Sequence, residues 1–144
     1  MKLYAVMNFS PKPDCKMQNS AFDLYDFSYF QRSSIQEFMT FASKTIADRT
    51  LPGERKSVKQ DSYVIHCYCQ SSNVAVCITD QQYPSRVAFQ LLSESLTSAQ
   101  LDALLKKYQK PEQVDQLLNV QKELDETKVV LHDTINSVLE RGQK

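Results

Sequence analysis

Eight residues near the end of the chain stand at spacings of 3, 4, 3, 4, 3, 4 and 3: Leu117, Val120, Leu124, Thr127, Leu131, Thr134, Val138 and Arg141. This is the a/d series of a heptad repeat, and it predicts one long amphipathic helix. Leu118, Val129, Val130, Ile135 and Leu139 lie beside the seam. The apolar face is thus wider than a two-stranded zipper needs and suits a helix buried by several neighbours, as in a four-helix bundle. Alone, such a helix turns its stripe to water and is marginal. It is expected to be partly disordered unless it finds partner helices or folds back on the rest of the chain. The seam closes on Arg141. A buried guanidinium needs acceptors from its partners, such as side-chain amides of three other helices. At a frayed end it would instead snorkel to solvent, and spacing leaves both readings open.

Upstream the period is two. In "KLYAVMNFS" Leu3, Ala5 and Met7 share one face and Tyr4 and Val6 the other, which predicts a strand. "SYVIHCYCQ" and "NVAVCITD" are rich in β-branched and aromatic residues and are joined by Ser71, Ser72 and Asn73, which predicts an antiparallel hairpin. "ERKSVKQD" predicts a shorter strand, and the piece from Lys16 to Tyr25 is ambiguous, with pairing to the first strand expected. Between them, "QRSSIQEFMTFASKTIADRT" predicts a helix with Ser33 or Ser34 as N-cap and Glu37 closing a capping box. Its buried stripe is Ile35, Phe38, Met39, Ala42 and Ile46; Phe41 falls off that stripe. Either Phe41 widens the buried face or it is an aromatic left available to a ligand or an internal partner. "PSRVAFQLLSESL" predicts a helix with Pro84 in its first turn, and "SAQLDALLKKY" a short one after it. Lys110 before Pro111 breaks the pattern. The expected layout is therefore an α+β domain over 1–110, in the order β-β-α-β-β-β-α-α with an antiparallel sheet flanked by helices, and a helical segment over 111–144.

Composition excludes several functions. The formal net charge is zero, with 17 basic and 17 acidic side chains, which gives no reason to expect nucleic acid. The charge is uneven: residues 1–110 carry a net of +3 and residues 111–144 a net of −3, so the tail is weakly drawn to the body. No run of 18 apolar residues is present to span a bilayer, and the start lacks the apolar block of a secretion signal. Cys15, Cys67, Cys69 and Cys77 are too irregular for a disulfide scaffold and are expected as reduced thiols. In "HCYC" a strand turns His66 away from Cys67 and Cys69, leaving two thiols where zinc needs four ligands, with Cys77 a possible third. The same geometry defeats a Cys–His nucleophile. His132 is expected off the seam in solvent. With two glycines, Gly53 and Gly142, there is no phosphate loop. The expectation is no metal, no cofactor and no enzyme.

"VQKELDETKVVLHDTINSVLERGQK" resembles the first half of the SNARE motif of R-SNAREs, and "MKLY", "FQRSSIQEFMTF" and "ITDQQYPSRVAFQLL" resemble a longin domain. Both modules, in this order, are similar to those of the lipid-anchored longin R-SNAREs. The resemblance implies a longin (profilin-like) fold, with a five-stranded antiparallel sheet between one helix and two others, followed by a SNARE coiled-coil helix. It implies that Arg141 is the ionic-layer arginine that meets three glutamines of partner Q-SNARE helices, and that the seven seam positions before it are hydrophobic layers. It also implies an intramolecular contact in which the longin domain folds back on the SNARE segment and shelters lipid, with Phe41 on that regulatory surface. The family acts in vesicle fusion at Golgi, endosomal, vacuolar and autophagic membranes, with a soluble cytosolic pool. Two departures stand out. The connection near residues 93–104 is shorter than in the family. The chain ends "RGQK", without the downstream half-motif or the lipidated cysteine tail that holds the family to membranes. A soluble longin adaptor, or a truncated decoy without fusion activity, is the alternative expectation.

Overall fold

The computed structural model describes residues 2–10, 16–60, 62–70, 73–96, 100–109 and 129–132, the last four by their backbone alone. Among the described residues there are six strands and three helices: β1 Leu3–Phe9, β2 Met17–Phe22, α1 Tyr29–Asp48, β3 Arg55–Gln60, β4 Tyr63–Cys69, β5 Val74–Asp80, α2 Ser85–Ser95, α3 Leu101–Lys107 and β6 Val129–His132. The sheet order is β2-β1-β5-β4-β3-β6. The first five strands are antiparallel throughout, as expected. β6 adds to the outer edge of β3 in parallel, from Arg55↔Val129 to Val58↔His132.

Alternation divides the core in two. Ala5, Met7, Ile65, Cys67, Val76 and Ile78 pack beneath Met39, Ala42 and Ile46 of α1. Leu3, Val6, Ala75 and Cys77 pack beneath Val87, Phe89, Leu91 and Leu92 of α2 and Leu101 and Leu105 of α3. Each strand serves both layers because successive side chains leave opposite faces of the pleat; in β1 an irregularity between Leu3 and Ala5 breaks the alternation, so Leu3 joins Val6 under α2 rather than sharing the face of Ala5 and Met7 as expected. The ambiguous piece is β2, paired with β1 through a shift in register between Asn8 and Phe9.

α1 begins at Tyr29, earlier than Ser33 or Ser34 would set it. Its N-cap is Ser28, whose backbone carbonyl accepts from Gln31 and Arg32 at 2.9 and 3.2 Å while its side chain makes no cap bond. The buried stripe is also rotated: Ser43 and Ala47 are buried, while Phe38 is 41% exposed. Pro84 is the N-cap of α2, one position before the expected first turn.

A short turn delivers the chain from α1 to β3. Pro52 and Gly53 occupy its centre, Gly53 has φ 84°, and the Glu54 amide donates to the Leu51 carbonyl at 2.9 Å. This is a type II turn, which needs φ > 0 at its third residue and so favours glycine there. On the opposite face, α2 ends against the sheet. Asn8 of β1 donates its side-chain amide to the Ser95 carbonyl at 2.7 Å, and Asn73 donates to the Leu96 carbonyl at 3.1 Å. Two asparagines thus satisfy C-terminal carbonyls that a helix end leaves without intrahelical partners.

The root of the tail is fastened too. Gln109 pairs with the backbone of Leu3, accepting at 3.3 Å and donating at 2.6 Å, and also donates to Asp23. Tyr83 donates its hydroxyl to the Tyr108 carbonyl at 2.6 Å.

Candidate functional site

The β3 edge is the site that receives the tail. In an antiparallel ladder alternate residues bond to the neighbouring strand. The Cys69 amide donates to the Glu54 carbonyl, so Lys56, Val58 and Gln60 bond towards β4. Arg55, Ser57 and Lys59 then direct their backbone groups outward, towards β6. The side chains on this edge are held from within. The Arg55 guanidinium stacks over the Tyr68 ring at 4.2 Å. Lys56 is buried, donating to the Arg49 carbonyl at the end of α1 at 2.8 Å, with Glu54 at 3.5 Å. A cation on the last carbonyls of a helix opposes the negative end of its dipole.

The outer face of α1 is the second exposed surface. Phe41 is 66% exposed and Phe30 90% exposed. With Tyr29, Arg32, Ser33, Gln36, Glu37 and Thr40 they line an open depression of about 820 Å³. Phe41 therefore does not widen the buried face. Arg32 lies over the Tyr25 ring at 5.0 Å and donates Nε to the Phe27 carbonyl, fixing the start of this face.

Most seam positions, Leu117, Val120, Leu124, Thr127, Thr134, Val138 and Arg141, fall outside the described residues. Leu131 is described, within β6. At residues 129–132 the expected helix is replaced by strand. Val129 and Val130 are β-branched neighbours that suit a strand, and the edge of β3 offers them backbone hydrogen-bond partners.

Among the described residues the thiols of Cys67, Cys69 and Cys77 and the imidazole of His66 are buried in the core. Cys67 and Cys69 face α1 and Cys77 faces α2, so Cys77 does not join them. Burial pushes the Cys77 thiol up. Among the described residues no group of three His, Cys, Asp or Glu side chains is placed to hold a metal. His66 faces α2, edge-on to Phe89 at 5.4 Å, with Ser57 Oγ 2.8 Å from Nδ1 and Thr79 Oγ1 3.5 Å from Nε2. Thr79 commits its proton to the Asp80 carbonyl at 2.9 Å. The ring therefore donates from Nε2 and accepts the Ser57 proton at Nδ1, which is the neutral form. Burial lowers its pKa to about 4.

Comparison with known proteins decides the family. The longin family, described as a regulated-SNARE-like domain, matches residues 24–117. The synaptobrevin homolog Ykt6 of Schizosaccharomyces pombe is 46% identical over 166 residues, covering all of this chain and 84% of the relative. The chain belongs to the longin R-SNARE family. Its Yarrowia lipolytica relative, also a synaptobrevin homolog Ykt6, is 41% identical over 168 residues, again with all of this chain and 84% of the relative. That of Saccharomyces cerevisiae is 41% identical over 145 residues, with 85% of this chain and 72% of the relative. The longin R-SNARE therefore belongs to vesicle trafficking. The first alignment spans 166 positions against 144 residues, so at least 22 positions have no counterpart in this longin R-SNARE. Among its described residues no helix is long and apolar enough to cross a membrane.

Proposed function

We propose that this longin R-SNARE enters a four-helix bundle with Q-SNARE helices through residues 111–144, and that the body over 1–110 holds that segment back until it is released. Arg141 supplies the ionic layer, and Leu117, Val120, Leu124, Thr127, Leu131, Thr134 and Val138 supply layers before it. The observation that carries the reading is the parallel pairing of β6 with β3. A strand rises about 3.3 Å per residue and a helix 1.5 Å, so residues 129–132 occupy the sheet edge or the bundle, never both. Phe41 and the exposed outer face of α1 form the rest of the restraint. The role is one of assembly, with no chemical reaction. Membrane attachment is assigned to a lipidated C-terminal segment, which is not among these residues, at Golgi, endosomal or vacuolar membranes.

The test mixes the chain with cognate Q-SNARE helix fragments and follows helix content by circular dichroism. The expected result is a gain in helix and a complex that weakens on Arg141→Ala. Arg55→Pro removes one outward amide at the first residue of β3, where proline is tolerated. Losing one hydrogen bond of about 1 kcal/mol raises the released population roughly five-fold, so helix gain accelerates by a similar factor. No helix gain at all would favour an adaptor that binds trafficking proteins through its folded surface. A gain indifferent to Arg141→Ala would leave only generic coiled-coil pairing.

A further inference from the structure

The surplus charge of the body has one address. Residues 1–43 hold four basic and four acidic side chains, and residues 61–110 hold four of each, whereas residues 44–60 hold five basic and two acidic. The whole +3 of the body therefore lies on the last turn of α1, the turn after it and β3. Within that segment two cations are locally matched: Lys44 sits 3.8 Å from Asp48, and Lys56 is buried beside Glu54. Arg49, Arg55 and Lys59 carry the remainder. Between Arg49 and Arg55 the type II turn displays Leu51, 61% exposed. β6, drawn from a tail with a net charge of −3, sits against this same edge.

We propose that the β3 edge and its adjoining turn form a contact surface for an anionic phospholipid bilayer, completed when β6 leaves. Arg49, Arg55 and Lys59 meet the headgroups, and Leu51 enters the interface between them. Charge selects the partner, because the three cations Arg49, Arg55 and Lys59 flank an exposed apolar side chain on a segment with a local surplus of +3, a combination that suits an anionic bilayer. The apolar tip distinguishes a bilayer from a merely acidic protein, since interfacial binding combines buried apolar area with attraction to anionic headgroups. Each cation near such a surface is expected to contribute about five-fold in partitioning. The switch, though not the contact itself, rests on the gating reading above.

The experiment is co-sedimentation of the 144-residue chain with vesicles of phosphatidylcholine, alone or with about one third phosphatidylserine, at low and high salt. The chain is compared with Val130→Pro, which disrupts β6, with Leu51→Ser, and with R49Q/R55Q/K59Q in the Val130→Pro background. The expected result is that Val130→Pro binds the serine-containing vesicles roughly ten-fold better than the unaltered chain. The triple substitution should then remove on the order of 100-fold, about five-fold per cation, and salt should weaken binding. Equal binding to phosphatidylcholine alone, or undiminished binding by the triple variant, overturns the proposal. So does full displacement by soluble polyglutamate with Leu51→Ser binding unchanged, which would assign the surface to acidic protein. Hydrogen exchange at the Arg55 and Ser57 amides separates the two readings. Protection that persists in Val130→Pro refutes the gate while the triple variant still judges the bilayer contact. Protection lost without a rise in vesicle binding refutes the membrane proposal alone. Thermal unfolding of each variant verifies that the body is folded.

Discussion

Lowering the pH should loosen this protein through His66, and the size of the effect follows from its surroundings. The ring is buried between β3, β5 and α2, and its pKa falls to about 4 because burial penalises the charged form. In the unfolded chain the value is about 6.5. Between these values the unfolded state binds more protons than the folded state, so stability is complete above about 6.5 and declines as pH falls. Linkage gives a loss of about 2 kcal/mol between about pH 7 and pH 5, reaching about 3.4 kcal/mol below pH 4. For a domain of roughly 100 residues, a loss of about 2 kcal/mol lowers Tm by about 8–16 °C. The assay is denaturant unfolding monitored at several pH values in that range, where most carboxylates stay ionised. His66→Asn should be less stable near neutrality, since it loses the bonds to Ser57 and Thr79, but its stability should be flat with pH. A flat profile in the unaltered chain, or a slope that survives His66→Asn, would refute the reasoning. Long-range nitrogen–proton NMR should find the neutral ring protonated at Nε2.

Other substitutions test the supports of the site. Asn8→Ala deprives the Ser95 carbonyl of its buried donor and should cost about 1–3 kcal/mol in chemical denaturation, with Asn73→Ala costing less at its part-buried bond. Gly53→Ala meets no atom within 4 Å of the added Cβ, so its cost is conformational alone, about 1–2 kcal/mol in thermal unfolding. Leu92→Ala opens a cavity beneath α2, where Leu92 is fully buried, and should cost about 2–5 kcal/mol by the same measurement.

The order of elements through α3 was legible because each left a local signature. Alternation marked the strands, Ser71 and Ser72 the hairpin, and Pro84 the start of α2. The start of α1 was not, because Tyr29 and Phe30 face solvent and Ser28 caps with its backbone rather than its side chain. Nor was the rotation of its stripe: a buried Ser43 and a part-exposed Phe38 are fixed by the sheet beneath, which no helical period contains. Phe41 stood out in the sequence for falling off the stripe, and it lies on the surface. β6 was hidden for a different reason. A heptad spacing and a run of β-branched residues overlap at Val129 and Val130, and only the vacant edge of β3 makes the second count. The donors on that edge depend on register, which emerges only once β3 and β4 are paired.

Arg55 and Lys59 have a consequence for the protein's behaviour in company. If β6 detaches as proposed, the edge of β3 is exposed, and exposed edges invite copies of the same chain to stack into larger assemblies. Two β3 strands approaching each other would bring like charges together, and that encounter is unfavourable. In the proposed release the edge would thus take back β6 while discouraging its twin, which would let the open form persist in a crowded solution without precipitating.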